Sequence, residues 1–337
     1  MYLQTFGLQR NPFSMTPDPS FLYLTTQHRE VLAGLAYAIL DRKGFVVLSG
    51  DAGTGKTTLL TRVLEYLPAE RTQTSVIFNP TLSPSEFLEM VLLDFGITDV
   101  PQSKAQRIVK LQQYLLKGQS AGKVSALIVD EAHKLSPEVL EEIRLLGNYE
   151  NSDCKLLQIL LIGQNELNEV LNREDMRQLK QRVAMRLKID PLSRDEVGTY
   201  IQHRWSTAGG SANPFTPKAV TEAAAHSRCI PRVINVLCDN ALMLAFSRGR
   251  MNVTASLVQE AAQDLHLIEP REPAGAKTEA PVTKMEPAEP PAVAVPVTEP
   301  VPAAPVTLFR TLERYGNGNG SEGQSLWARW AGKLGLA

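Results

Sequence analysis

The stretch GDAGTGKTT, residues 50–58, follows the apolar run at 45–48 directly and precedes the amphipathic segment LLTRVLEYL. It matches the pattern G-x-x-x-x-G-K-[ST] in full, in the strand-to-helix context that this phosphate-binding pattern requires. The glycines let the backbone turn tightly, so that its N–H groups and the start of the following helix face the phosphates. The stretch therefore predicts an α/β fold that binds a nucleotide.

Two side chains of this loop have distinct expected tasks. Lys56 is expected to contact the β- and γ-phosphates of ATP, and the Thr57 hydroxyl is expected to bind Mg²⁺. The complete set of predicted phosphate-binding residues in the loop is Gly50, Asp51, Ala52, Gly53, Thr54, Gly55, Lys56, Thr57 and Thr58.

A second motif, ALIVDEAH at 126–133, places two carboxylates at the end of another apolar run. Burying that pair without a cation would be costly. We expect Asp130 to hold Mg²⁺ through water and Glu131 to polarise the attacking water as a general base. The two motifs in this order predict a Mg²⁺-dependent ATPase.

Polar side chains end two further apolar runs. Asn79 closes VIFNP, where its amide could hydrogen-bond Glu131 and hold it away from the water until a partner arrives; a plain turn before Pro80 is the alternative. Gln164 closes LLIGQ, from which a polar side chain can reach the γ-phosphate or the water. An ordinary loop amide is the alternative for Gln164. Both residues are candidates for the catalytic set.

Apolar runs rich in β-branched residues alternate with segments of helical periodicity, which predicts a parallel sheet with helices on both faces. This nucleotide-binding domain is expected over 1–190. From residue 191 onward, helix-like segments predict a small all-α lid domain over 191–269, with Ser193, Thr216 and Thr254 as helix caps. The five apolar runs lie at 44–50, 74–79, 124–131, 156–164 and 186–190.

The composition changes after Pro270 to Pro, Ala, Val and Glu, and predicts a disordered linker over 270–306. The tail, 307–337, ends in SLWARWAGKLGLA. On a short amphipathic helix, Trp327 and Trp330 would share one face and could dock on a partner or a membrane surface. A frayed chain end is the alternative.

The overall composition is that of a globular protein, and the formal net charge of −1 gives no strong attraction to nucleic acid or an anionic membrane. No apolar run approaches the roughly 20 residues of a membrane helix, and the N-terminus has no signal-peptide pattern. The three cysteines lack the spacing of a zinc site. We expect a cytoplasmic protein, or one peripheral to the inner membrane.

The order of these parts resembles an AAA+ ATPase. More narrowly, MYLQTFGLQRNPFSMTPDPSFLY, GFVVLSGDAGTGKTT, IVDEAHKLSPEVLEEIRLLGNYE, KLLQILLIGQNEL and CIPRVINVLCDNALM resemble the ExeA-type family, general secretion pathway protein A, over residues 1 to 268. The resemblance implies ATP hydrolysis with Mg²⁺ and homo-oligomers that hold the nucleotide between subunits. It also implies an AAA+ sheet in which the third and fourth strands flank the first.

The resemblance carries over an arginine that reaches into a neighbouring subunit's site. Arg182 in LKQRVAMR matches that position, with Arg177 and Arg186 as rivals. An arginine there can stabilise charge that develops on the γ-phosphate. The alternative is solvated charge on a helix face.

Two further positions match nucleotide-binding residues of the family. Arg232 in CIPRVIN matches the lid arginine that senses the γ-phosphate, and Cys229 stands where the family usually has glycine. His28, which begins HREVLAGLAYAIL, matches the position that packs the adenine. A polar residue at a helix start is the alternative for His28.

The family's namesake carries a membrane span and a peptidoglycan-binding domain after the ATPase, and the sequence after 270 shows neither. It resembles the shorter relatives encoded with exopolysaccharide and protein-sorting systems. We therefore expect an oligomerising ATPase that assembles or regulates a cell-envelope secretion or export complex, reached through the tail. The alternatives are a DNA-associated ATPase that regulates transposition, against which the neutral charge argues, and a nucleotide-bound scaffold with little turnover.

Overall fold

The computed structural model describes residues 2–16, 18–78, 81–152 and 154–267. Within this part of the chain, five parallel strands form one sheet in the order β2-β3-β4-β1-β5. The three central strands are buried along their whole length, as their continuous Val, Leu and Ile runs predict. The strands are β1 (Phe45–Gly50), β2 (Thr72–Ile77), β3 (Val124–Val129), β4 (Leu157–Gly163) and β5 (Val183–Ile189).

The expectation that the third and fourth strands flank the first is wrong. In β1, Val47 lies beside Leu161 of β4 on one side and Arg186 of β5 on the other. The third strand instead lies between β2 and β4. Parallel strands are joined by crossover helices that can carry the chain past a neighbour. An apolar run therefore predicts burial of a strand but does not identify its neighbours.

Helices cover both faces of the sheet, so the predicted α/β fold is confirmed. Alternate strand residues enter separate cores: Val47 packs with the layer formed by α4 to α8, and Val46 packs with α2 and α3. The helices of the described part are α1 (Tyr2–Thr5), α2 (Thr26–Leu40), α3 (Lys56–Tyr66), α4 (Pro84–Asp94), α5 (Lys104–Ser120), α6 (Pro137–Leu146), α7 (Glu166–Asn172), α8 (Arg177–Arg182), α9 (Arg194–Thr207), α10 (Pro217–Ser227), α11 (Pro231–Ser247) and α12 (Ala255–Asp264).

Two of the three predicted helix caps of the second domain are confirmed. The Ser193 hydroxyl accepts the Glu196 N–H in a reciprocal capping box, and the Thr216 hydroxyl accepts the Ala219 N–H. Thr254 stands at the N-cap of α12, but its hydroxyl makes no cap hydrogen bond. It lies 2.9 Å from the Ser256 hydroxyl instead.

The N-terminal segment, residues 2–21, packs with the helical domain and not with the sheet to which the sequence assigned it. Tyr2, Phe6 and Phe13 share one core with α9 to α12. The Phe6 ring contacts Trp205 edge-on with centroids 5.8 Å apart, and the Tyr2 hydroxyl donates to Asp239. Because these aromatic side chains lie in a largely irregular segment, they show no periodicity from which their packing partners could be predicted.

The predicted linker, 270–306, and the tail with Trp327 and Trp330 lie outside the described residues. Of the helices in the part that the structure describes, none is long and apolar enough to span a membrane.

Candidate nucleotide site

A cavity of about 640 Å³ lies where the carboxyl ends of the central strands meet the helical domain. In parallel sheets, ligands bind outside this edge. One wall is the phosphate loop, and the opposite wall comes from the N-terminal segment, α9 and α11. The residues that line the cavity include His28, Gly53, Lys56, Thr57, Glu131, Gln164, Tyr200, Arg232 and Asn235.

The phosphate loop has the backbone that its glycines predict. Gly53 and Gly55 have φ of 82° and 99°, a region that L-residues with a side chain rarely adopt. Gly55 is the N-cap of α3, so the first N–H groups of that helix lack acceptors within it. The loop therefore presents the backbone donors that a phosphate group needs.

Lys56 places a positive charge at the centre of this loop. Its side chain is buried, and Nζ donates to the carbonyl oxygens of Gly50 and Asp51, both at 2.8 Å. Burial lowers the pKa of Lys56, while the Glu131 and Asp130 carboxylates act in the opposite direction. The ammonium is thus held close to both acidic residues of the second motif.

Thr57 and Asp130 meet across the site, as the two motifs predict. The Thr57 hydroxyl donates to Asp130 Oδ2 at 2.8 Å, and the second carboxylate oxygen accepts the Glu131 N–H at 2.9 Å. Burial raises the pKa of Asp130, although these two hydrogen bonds oppose the shift. A hydroxyl and a carboxylate are hard oxygen ligands of the kind that Mg²⁺ prefers.

These two side chains fit a nucleotide-bound Mg²⁺ better than an all-protein metal site. Among the described residues, no group of three or more His, Cys, Asp or Glu side chains could hold a metal ion. Mg²⁺ usually keeps waters and takes only one or two protein carboxylates, with phosphates as further ligands. The donor set formed by Thr57 and Asp130 matches that pattern.

Glu131 lies on the cavity wall with its carboxylate one-third exposed. Its backbone is left-handed, with φ of 53°. Burial works against the charged form, but Lys134, His133 and Lys56 outweigh it and hold the pKa of Glu131 below its usual range. The residue is therefore ionised at neutral pH, the form that a general base requires.

Gln164 lines the same cavity at the end of β4, and its N–H donates to His133 Nδ1 at 3.3 Å. The next residue, Asn165, donates its side-chain amide to the Asp51 carboxylate. Hydrogen bonds therefore connect the end of β4 to the phosphate loop and to residues 130–133 after β3. His133 and Asn165 had no role predicted from the sequence, although their position beside strand ends was a usable signal.

His28 is buried on the cavity wall beside the phosphate loop. Its Nδ1 lies 2.7 Å from the Thr25 hydroxyl, and the ring also faces the Thr54 carbonyl. Burial lowers the pKa of His28, with the Thr54 carbonyl opposing the shift. His28 therefore contacts the phosphate loop as a neutral ring. It also lies in the first turn of α2, which agrees with the alternative that it is a polar residue at a helix start.

Arg232 is exposed at the start of α11 and lines the cavity. Its N–H donates to the Gly53 carbonyl at 3.2 Å, so the helical domain touches the phosphate loop directly. Cys229 has φ of 59° and thus adopts the backbone that glycine favours, at a cost of about 1–2 kcal/mol. Cysteine therefore occupies a left-handed position before α11 that glycine would adopt at lower cost.

The three candidate arginines are not among the described residues that line this cavity. Arg182 donates to the Arg144 carbonyl at 3.0 Å, and Arg186 donates to Asn168 Oδ1 at 3.1 Å. Arg177 is exposed and has no side-chain partner in the described part of the chain. The structure therefore brings Lys56, Thr57, Asp130, Glu131, Gln164, His28 and Arg232 together without these arginines. Asn79 lies outside the described residues.

The far end of the cavity was not foreseen from the sequence. Tyr200 and Asn235 meet there, with the Tyr200 hydroxyl donating to Asn235 Oδ1 at 2.8 Å. Tyr23 contacts Tyr200 edge-on, and the Arg204 guanidinium lies 4.8 Å from the centre of the Phe21 ring. These side chains come from residues 21–23, α9 and α11, and the sequence patterns gave none of them a role in nucleotide binding.

Comparison with known proteins agrees with this site. The family model described as AAA domain matches residues 39–171. General secretion pathway protein A of Aeromonas hydrophila is 41% identical over 266 residues, which cover 79% of this chain and 48% of that protein. The chain thus spans about half the length of this relative. ATP-dependent target DNA activator B of Escherichia phage Mu is 25% identical over 74% of this chain and 75% of its own length.

Solved structures share the fold at lower sequence identity. A chain of the Drosophila ORC bound to DNA has a TM-score of 0.62 at 21% identity, covering 79% of this chain and 66% of that chain. The Aeropyrum pernix ORC2 protein has a TM-score of 0.58 at 16% identity, covering 76% and 72%. The protein therefore carries an AAA domain, and over 266 residues it is similar to general secretion pathway protein A.

Proposed function

We propose that the protein binds ATP with Mg²⁺ and hydrolyses it to ADP and phosphate. The observation that carries the proposal is the meeting of Lys56, the Thr57–Asp130 pair and Glu131 at one cavity. A P-loop ATPase needs these elements together: a cation for the phosphates, oxygen ligands for Mg²⁺ and a base for the water.

Each residue has a defined task in this mechanism. Lys56 neutralises charge on the β- and γ-phosphates, while Thr57 and Asp130 hold Mg²⁺. The metal ion, when bound, offsets the charge that develops on the phosphates. Glu131 accepts the proton of the attacking water, and the ion pairs that keep Glu131 ionised support this role. Gln164 orients the water or the γ-phosphate from the end of β4.

We propose that the active form is a homo-oligomer in which an arginine acts on the neighbouring subunit's nucleotide. Among the described residues, none of Arg182, Arg177 and Arg186 lines the cavity of its own subunit, which agrees with a role toward another chain. Arg182 remains the first candidate, by its match to the family. Arg232 and His28 are proposed to contact the γ-phosphate and the adenine of the same subunit, with residues 191–269 as a lid.

We propose that hydrolysis assembles or regulates a cell-envelope secretion or exopolysaccharide-export system. The support is the 41% identity to a protein named general secretion pathway protein A. The protein would act in the cytoplasm, at or near the inner membrane, with residues 307–337 as the contact to the machinery. Removing these residues should then abolish recovery of components of that machinery with the tagged protein.

A second candidate function is that of a DNA-associated ATPase in transposition. The relative named ATP-dependent target DNA activator B favours it, because the match extends over three quarters of both chains. The formal net charge of −1 goes against it, since DNA binders carry basic surfaces.

Steady-state ATP hydrolysis by the full chain separates the candidates. The protein should be assayed over a range of its own concentrations, with and without duplex DNA, beside its Glu131→Gln variant. Turnover that rises with protein concentration, ignores DNA and depends on Glu131 supports a subunit-shared site and the envelope function. Stimulation by DNA would favour the transposition function, and equal rates for the two proteins would leave only a nucleotide-bound scaffold.

A further inference from the structure

The Glu131 carboxylate forms an ion pair with Lys134, a residue that is not among the described residues lining the cavity. Lys134 Nζ lies 3.0 Å from Glu131 Oε2, while the Lys134 side chain itself is about half exposed to solvent at 55%. Glu131 is among the described residues that line the cavity, and Lys134 is not. The ion pair therefore links a carboxylate on the cavity wall to an ammonium on a solvent-exposed side chain.

The backbone after β3 produces this contact. Glu131 is left-handed, and the 3-10 turn Ala132–Lys134 follows at once, closed by the Lys134 N–H on the Glu131 carbonyl at 2.9 Å. In a 3-10 turn, side chains three residues apart eclipse each other. The turn thus stacks the ammonium of Lys134 over the carboxylate of Glu131.

His133 approaches the same oxygen from the other side. Its Nδ1 accepts the Gln164 N–H, so the neutral ring carries its proton on Nε2. That nitrogen lies 3.7 Å from Glu131 Oε2. A change in the backbone at Gln164, which lines the cavity, would therefore alter the surroundings of Glu131 through His133.

We propose that Lys134 is a positioning residue that holds Glu131 in a resting orientation and thereby restrains basal ATP hydrolysis. This inference rests on the proposed function of Glu131 as the base. While the ammonium holds this carboxylate oxygen, the side chain is not free to turn toward an attacking water. Productive nucleotide binding or a neighbouring subunit releases the pair, which its exposure makes easy to break.

The test compares full-length wild type with Lys134→Met and Lys134→Arg. An exposed ion pair contributes up to about 1 kcal/mol, so Lys134→Met should raise basal kcat about two- to fivefold, by the conversion of 1.36 kcal/mol per tenfold. KM for ATP should stay unchanged, because Lys134 does not line the cavity. Lys134→Arg keeps the positive charge and should keep the low basal rate.

Lys155→Met is the matched control. Lys155 is also an exposed lysine in an ion pair, with Glu150, and it is likewise absent from the residues that line the cavity. This variant should keep the wild-type kcat. A rise in its rate equal to that of Lys134→Met would overturn the inference, because any lost surface lysine would then have the same effect.

A second readout needs neither nucleotide nor turnover. Acylation of lysine amines by an N-hydroxysuccinimide ester, quantified by peptide mass spectrometry, reports whether Lys134 is held by an anion. In the nucleotide-free protein, Glu131→Gln should acylate Lys134 about two- to fivefold faster than wild type, with Lys155 unchanged. Equal rates at Lys134 in the two proteins would show that the ion pair does not form, and the inference would be lost.

The outcomes also separate this inference from the proposed function. If wild type shows Glu131-dependent turnover that Lys134→Met leaves unchanged or lowers, only the role of Lys134 is overturned. If neither wild type nor Lys134→Met shows turnover that depends on Glu131, the proposed hydrolysis fails together with the restraint.

Discussion

Because the phosphate loop touches the helical domain, we expect one methyl group added at Gly53 to lower the free energy of unfolding by an unusually large amount. A Cβ added at Gly53 would lie 2.6 Å from the Arg232 Cβ, closer than nonbonded carbons approach. Gly53 also has φ of 82°, where a side chain costs about 1–2 kcal/mol. Overpacking of a tight contact adds about 1–3 kcal/mol. Gly53→Ala should therefore lower the free energy of unfolding by about 2–5 kcal/mol.

Gly122 supplies the matched control. It has φ of 73°, and an added Cβ would meet nothing within 4 Å. Gly122→Ala should thus cost only the backbone component, about 1–2 kcal/mol. Urea unfolding of the nucleotide-free proteins, followed by the fluorescence of buried Trp205, measures both variants.

A double-mutant cycle with Arg232→Gly isolates the clash. Because glycine at 232 removes the Cβ that the new methyl group would meet, the double variant should recover about 1–3 kcal/mol relative to the sum of the single changes. Equal losses for Gly53→Ala and Gly122→Ala, with no coupling to residue 232, would refute the direct contact between the loop and α11.

Three further predictions test other parts of the account. Phe13→Ala should lower the free energy of unfolding by about 3–5 kcal/mol in urea, because Phe13 is buried against Phe215 in the helical core; a loss below 1 kcal/mol would mean that the N-terminal segment is not part of that core. Thr57→Ala should remove the gain in ATP affinity that Mg²⁺ provides. Calorimetry of ATP binding with and without Mg²⁺ measures this gain, and an unchanged gain would exclude Thr57 as a Mg²⁺ ligand. Burial lowers the pKa of His28 in the folded protein, so the unfolded chain binds more protons below the usual pKa of about 6.5. The His28 contribution to stability is therefore complete above that value and is lost as pH falls from it through the lower pKa of the folded protein. His28→Asn should flatten this part of the dependence of stability on pH, and an identical dependence would contradict the assignment.

The site was predictable where sequence motifs coincide with strand ends. Lys56, Asp130, Glu131 and Gln164 all follow buried strands, and the carboxyl ends of parallel strands meet at one edge. Their convergence on one cavity required only that the sheet be parallel. The order of the strands was not predictable in the same way, because burial leaves the neighbours of β1 undetermined.

The remaining parts of the site depend on tertiary contacts that no local pattern reveals. The aromatic wall of the cavity comes from Tyr23 and Tyr200, which are brought together by the packing of the N-terminal segment on α9. The Lys134 contact depends on the left-handed backbone of Glu131, a conformation that a sequence rarely reveals for a residue other than glycine.

The central claim is that Glu131 is the base of an ATP-hydrolysing site built on Lys56, Thr57 and Asp130. The most direct test measures Mg²⁺-ATP affinity and hydrolysis in the same preparations of wild type and Glu131→Gln. We expect the variant to bind Mg²⁺-ATP at least as tightly as wild type and to hydrolyse it about 10²–10⁴-fold more slowly. Turnover in the variant at the wild-type rate would contradict it.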